Sequence, residues 1–103
     1  MQGEVAVASV YVLWAEGTSR FKVGYTKGAV DERAAQIMSM SPFPLRIVAE
    51  AQGGRKQEMA IHYALRPYRV HGEWFDLPEE TVWWLFSEMG VDVTREKAIG
   101  AAQ

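Results

Sequence analysis

The sequence predicts an α+β domain: a central three-stranded antiparallel sheet flanked by helices, in the order β-β-α-β-α-α. Three observations carry that expectation. Residues 5–15 are apolar and rich in β-branched and aromatic side chains, over a length that suits a buried strand. Glu16-Gly17-Thr18-Ser19 has turn chemistry, and residues 20–25 resume strand character beyond it. Further on, residues 30–40 and 55–66 carry apolar side chains at three- and four-residue steps, the period of a helix that buries one side.

The elements follow in order. Gly24, inside the second strand, marks a bulge or a close backbone approach. The first helix has Asp31 and Glu32 at its positive end, and a stripe of Val30, Ala34, Ile37 and Met38, with Arg33 at its margin. Ser41-Pro42-Phe43-Pro44 stops it, because neither proline can continue a helix. Residues 45–51 alternate as a third strand, Leu45, Ile47 and Ala49 facing one way and Arg46, Val48 and Glu50 the other. The second helix presents Ala60, Ile61, Ala64 and Leu65, with Glu58 and His62 one turn apart at the edge of that stripe. Residues 66–72 read as an irregular basic loop, anchored on the core by the rings of Trp74 and Phe75. Asp76 is the expected N-cap of the last helix, Val82, Leu85, Phe86 and Met89 its buried side, and Gly90 its stop. Trp83 and Trp84 are adjacent and cannot share one face, so one of them is expected to be exposed, where a second copy of the chain could dock.

A chain of 103 residues is read as one domain, residues 1–90, followed by a polar tail, 91–103. It contains no cysteine, which excludes disulfides, thiolate-bound zinc and thiol catalysis. Neither a membrane-length apolar run nor a secretory signal pattern is present, so a cytoplasmic setting without membrane contact is expected. The net charge of −2 argues against a polycation that simply coats nucleic acid. The charge is nevertheless uneven. Residues 1–75 carry nine Lys and Arg against seven Asp and Glu, whereas residues 76–103 carry two against six. A polyanion should therefore meet the first three-quarters of the chain.

Five side chains fit poorly with the apolar faces that carry them: Tyr11, Lys22, Arg33, Glu58 and His62. Singly, each has a bland explanation as a bonded core residue or a solvated pair. Together they are costly to bury unless they serve one another or a ligand. Their chemistry suits phosphodiester hydrolysis. Glu58 can hold one Mg²⁺ or Mn²⁺ ion. Arg33 can clamp a phosphate with its forked donors. Lys22 beside Tyr11 would favour a phenolate able to accept a proton from water. His62 can assist proton transfer. The patterns of zincins, phosphate-binding loops, dinucleotide folds and serine hydrolases are missing.

These residues, in this order, resemble the GIY-YIG endonuclease superfamily, in particular its small phage- and plasmid-borne subgroup. Val10-Tyr11 stands at the first motif and Lys22-Val23-Gly24-Tyr25-Thr26 at the second. Arg33, Glu58 and His62 follow on their helices, and Glu73-Trp74-Phe75 matches the closing motif. The chain departs from the standard pattern in three ways: Ser9 replaces the first glycine, Lys22 replaces the second-motif tyrosine, and the sequence has no asparagine. The resemblance implies single-metal hydrolysis of DNA in a bacterial or phage-infected cell, with Glu58 as metal ligand and Tyr11 or Lys22 handling the water proton. Lys27, Arg55, Lys56, Arg66 and Arg69 would hold the DNA backbone without reading sequence. A homodimer would be one source of specificity. The competing expectation is an inactive nucleic-acid- or protein-binding module on the same scaffold.

Overall fold

The structure is a computed structural model that describes residues 8–91. Its elements are β1 (Ser9–Ala15), β2 (Arg20–Thr26), α1 (Val30–Ser39), β3 (Leu45–Gln52), α2 (Arg55–Leu65), a 3-10 turn (Arg66–Tyr68), β4 (Arg69–His71), β5 (Trp74–Asp76) and α3 (Glu79–Glu88). The α+β class holds, but the sheet has five strands rather than three, in the order β3-β1-β2-β5-β4, with every pair antiparallel. The two added strands come from the segment expected to be a basic loop and its aromatic anchor. Each is three residues long, too short to leave a period-2 signature. The expected strand positions before residue 8 and the tail beyond residue 91 lie outside the described residues.

The hairpin that starts the sheet has a regular register, Tyr11 opposite Gly24 and Leu13 opposite Lys22. Gly17 turns it with φ 83°, and Thr18 closes the turn by donating from both its backbone N and its hydroxyl to the Ala15 carbonyl. Alternation then sorts side chains between two cores. Val10, Val12, Trp14, Phe21 and Val23 pack with Leu65 and Phe75, and with Leu85, Phe86 and Met89 of α3, on one face. Tyr11 and Leu13 pack with Val30 and Ala34 of α1 on the other.

Register corrects three expectations. β3 does not keep Leu45, Ile47 and Ala49 on one side. A shift between Val12 and Leu13 leaves Ile47 opposite Leu13 and Ala49 opposite Val12, so Val48 is the additional residue of a bulge. Leu45 and Ile47 therefore join the α1 core while Ala49 is buried in the other. α2 buries Glu58 and Leu65, whereas Ala60 and Ala64 are exposed, so its inner face carries a carboxylate. Asp76 is not the cap of α3. It ends β5 opposite Arg20 and accepts a hydrogen bond from Ser19 Oγ, and α3 starts after Pro78 with no side-chain cap.

Of the two rings in the closing motif, only Phe75 is a core anchor; Trp74 alternates to the opposite face and is partly exposed. Of the tryptophan pair in α3, Trp84 is the exposed member. Gly90 takes φ 75°, and the Val91 N donates to the Phe86 carbonyl at 2.9 Å, which ends α3 in a Schellman-type stop. No helix among the described residues is long and apolar enough to cross a membrane.

Gly24 is a close approach and not a bulge. A Cβ built there would lie 2.6 Å from the Tyr11 hydroxyl oxygen and 2.7 Å from the ring carbon that bears it. Tyr11 is fully buried and its ring is rigid, so it cannot swing aside. Gly24→Ala should therefore lower unfolding free energy by about 1–3 kcal/mol in urea titrations. That loss should shrink in a Tyr11→Leu background, where the ring is gone.

Candidate functional site

The contact of Tyr11 with Gly24 places a phenol at one wall of a small polar volume. The same hypothetical Cβ on Gly24 would lie 3.1 Å from Glu73 Oε1, so the Glu73 carboxylate bounds that volume too. Lys22 is the next outward residue along β2 and shares the Tyr11 face. Its ammonium does not serve Tyr11. It donates to Glu73 Oε1 at 2.8 Å, with 14% of the Lys22 side chain exposed. The cation beside the phenol is Arg33, which reaches it from the exposed side of α1 while Nη1 donates to Gln36 Oε1 at 3.1 Å.

Glu58 and His62 come from α2, on the opposite face, near the point where β5 begins. The Val23 N still donates to the Glu73 carbonyl at 3.0 Å. The Val23 carbonyl is taken by His62 Nε2 at 2.8 Å. A carbonyl only accepts, so Nε2 carries the imidazole proton and Nδ1 is the nitrogen left for other work. The ring also stands edge-on to Phe75, with centroids 5.0 Å apart. His62 thus pins α2 to the sheet. Its Nε2 lies 3.9 Å from Glu58 Oε2, beyond hydrogen-bond length. Glu58 is 4% exposed, and its Oε2 has no hydrogen-bond partner. An unpaired buried carboxylate oxygen is expensive, and most buried polar atoms avoid that state.

The electrostatics follow from this crowding. Burial pushes the Tyr11 phenol above its ordinary value, against the hydrogen bond and charge of Arg33, so the resting group is a hydroxyl. This reverses the expectation that a cation would keep it close to a phenolate. Burial is also the largest cause that pushes Glu58 up, to about 7, with the adjoining Glu73 carboxyl next; Arg55 and Lys22 oppose it. Burial works to raise Glu73 as well, yet the Lys22 ammonium bonded to it holds it below the usual range. Near neutral pH Glu58 is therefore partly protonated, beside a Glu73 carboxylate that stays ionised.

Glu73 is the participant that sequence reasoning missed. It was visible as the first residue of Glu73-Trp74-Phe75, but only the strand β5 shows that its side chain meets Lys22. The five expected backbone-binding residues are all exposed, yet they do not form one group. Arg55 lies one turn before Glu58 and acts on its charge. Lys27 follows the end of β2, close in sequence to Gly24, and Lys56 sits in the first turn of α2. Arg66 is about 12 Å further along the α2 axis than Glu58. It lies 3.9 Å over the Tyr63 ring and donates to the Tyr63 carbonyl. Arg69 donates to the Gly72 carbonyl at 2.8 Å. These last two serve local structure and stand apart from the carboxyl pair.

The Glu58 shift makes a prediction for metal-free protein. Its folded value, about 7, lies above the ordinary 4.5, so the folded state holds the proton more tightly. Its contribution is fully present below pH 4.5 and is lost as pH rises through 7. Glu58→Gln keeps a donor toward Glu73 and cannot ionise. It should exceed wild type by about 2 kcal/mol in urea unfolding at pH 8, with the gap closing near pH 5.

Comparison with known proteins adds one finding. No curated protein and no solved structure matches the chain. The model of the T5orf172 domain matches residues 8–89, from the start of β1 to the end of α3. The span holds Tyr11, Lys22, Arg33, Glu58, His62 and Glu73 on a single stretch of chain, and the protein therefore belongs to the T5orf172 domain family, a family of phage-associated, nuclease-like domains.

Proposed function

We propose that this chain is a metal-dependent DNA endonuclease with a GIY-YIG-type site. The observation that carries the reading is the buried Glu58 carboxyl with an unpartnered Oε2, set against a second carboxyl, with Lys22 and Arg55 acting on its charge and Arg33 beside the nearby Tyr11. Such a group is poorly satisfied in the protein alone and well satisfied by a hard cation. Among the described residues no cluster of three or more His, Cys, Asp or Glu makes a complete metal cage. Glu58, with Glu73 beside it, would hold an Mg²⁺ or Mn²⁺ ion through carboxylate oxygen, the donor such hard cations take. The ion would supply Lewis-acid polarisation of the phosphate and a more acidic water.

The residues divide the remaining work. Arg33 stands on the solvent side of Tyr11, where a phosphate can reach it, and offers charge stabilisation by a planar fork. Glu73, kept ionised by Lys22, is the carboxylate that stays charged in this volume at neutral pH. Tyr11, which retains its proton, orients an oxygen by donating a hydrogen bond. Lys22 sets the charge state of Glu73 and does not touch the phenol. His62 positions α2, and with it Glu58, through the Val23 carbonyl. Arg55, Lys27 and Lys56 supply exposed positive charge for the DNA backbone.

Nicking of supercoiled plasmid in Mg²⁺ or Mn²⁺ tests the reading. Glu58→Gln and Glu73→Gln should each cut at least about a hundredfold more slowly than wild type, and Arg33→Ala by a similar factor. Tyr11→Phe, which loses one hydrogen bond, should lose about tenfold. Equal cleavage by all four variants would place the activity elsewhere. DNA binding without turnover in any divalent metal would replace the enzyme by a binding module on the same scaffold.

A further inference from the structure

The face of the sheet that carries Tyr11 and Lys22 is only half covered. α1 packs on β1 and β3. Beyond them, β2, β5 and β4 turn Arg20, Trp74 and His71 outward on the same face, since Lys22 pairs with Trp74 and Trp74 with His71. Against this shelf stand the end of α1 and the loop after it. The space between them is a groove of about 830 Å³, with Arg20, His71, Trp74, Ile37, Met40 and Phe43 among its walls. Met40 is 79% exposed and Phe43 62% exposed, so two large apolar side chains face the groove without protein cover. Asp76 also reaches the wall, where it accepts the Ser19 hydroxyl.

From the proposed nuclease reading, on which this inference rests, we infer that the groove binds an unstacked nucleotide of the DNA strand being cut. Three features argue for that occupant. The volume falls within the range of small-molecule sites and exceeds what a single water or ion needs. Its walls interleave aromatic and flat apolar surface from Trp74 and Phe43 with the Arg20 guanidinium and the His71 imidazole, the combination that stacks bases while it tracks phosphates. The groove also borders the candidate site through one of its walls, Trp74. Trp74 is the cross-strand neighbour of Lys22 and follows Glu73 directly in the chain, so a base on Trp74 sits beside the Lys22–Glu73 pair. Paired bases in an intact duplex cannot present their faces to such a wall; extruded or single-stranded bases can. The substrate class is therefore DNA with an unpaired strand next to the cut: a flap, a gap or a splayed junction.

Fluorescence anisotropy with labelled 12-mer single strands, a matched duplex and a splayed-arm junction, in Ca²⁺ or EDTA, tests this without cleavage. Wild type should bind the single strand and the junction at least about tenfold more tightly than the duplex. Phe43→Ala and Trp74→Leu should each lose about tenfold on the unpaired substrates and little on the duplex. Phe43 is exposed at a loop, so its variant keeps the result readable where Trp74→Leu perturbs β5. Trp84→Ala, on α3, should leave all three affinities unchanged. Equal affinity of wild type for single strand and duplex, or full retention of single-strand binding by Phe43→Ala, would overturn the groove assignment, even with plasmid nicking intact. A strand preference lost in Phe43→Ala but unaccompanied by cleavage in any metal would support the groove and remove the nuclease.

Discussion

Two carboxyl groups and one lysine occupy a space in which their charges cannot all be satisfied at once. Lys22 reaches Glu73 and holds it ionised; Glu58, buried behind the same contact, is pushed up to about 7 and keeps an oxygen that nothing bonds. Removing Lys22 from this arrangement would leave two like charges in a poorly solvated pocket. The rest of the molecule keeps the three groups together. The hairpin register sets Lys22, β5 sets Glu73, and the His62 contact with Val23 sets the helix that carries Glu58.

This constraint explains why a small domain tolerates a glycine in the middle of its second strand. The phenol of Tyr11 needs the room that a side chain at position 24 would take, and the Glu73 carboxylate borders the same room. A bulkier residue would displace the hydroxyl or the carboxylate, and either change would reach the candidate site. Packing and chemistry therefore make the same demand at Gly24. The bulge at Val48 matters in a comparable way. It transfers Ala49 to the α2 and α3 core while Ile47 stays under α1, so both faces of a narrow sheet are sealed where the site requires it.

The arrangement also separates two kinds of positive charge. Lys22, Arg33 and Arg55 act on titrating groups in the pocket. Arg66 and Arg69 hold carbonyls and an aromatic ring at the far end of α2. Basic composition alone does not distinguish them, because both kinds are exposed and both follow helical or loop sequence. The distinction depends on what each guanidinium meets in space.

Much of this protein was legible in its residues. The hairpin, the three helices and the α+β class rest on local periodicity and turn chemistry, which need no knowledge of distant contacts. Tertiary structure alone decided the two short strands, the register slip in β3, the N-terminus of α3 and the membership of Glu73. Each of these depends on pairing between segments far apart in the chain: Arg20 with Asp76, Lys22 with Trp74, Val12 with Ala49. Strands of three residues carry too little pattern to announce themselves, and the partner of a buried charge is set by which backbone it is paired beside.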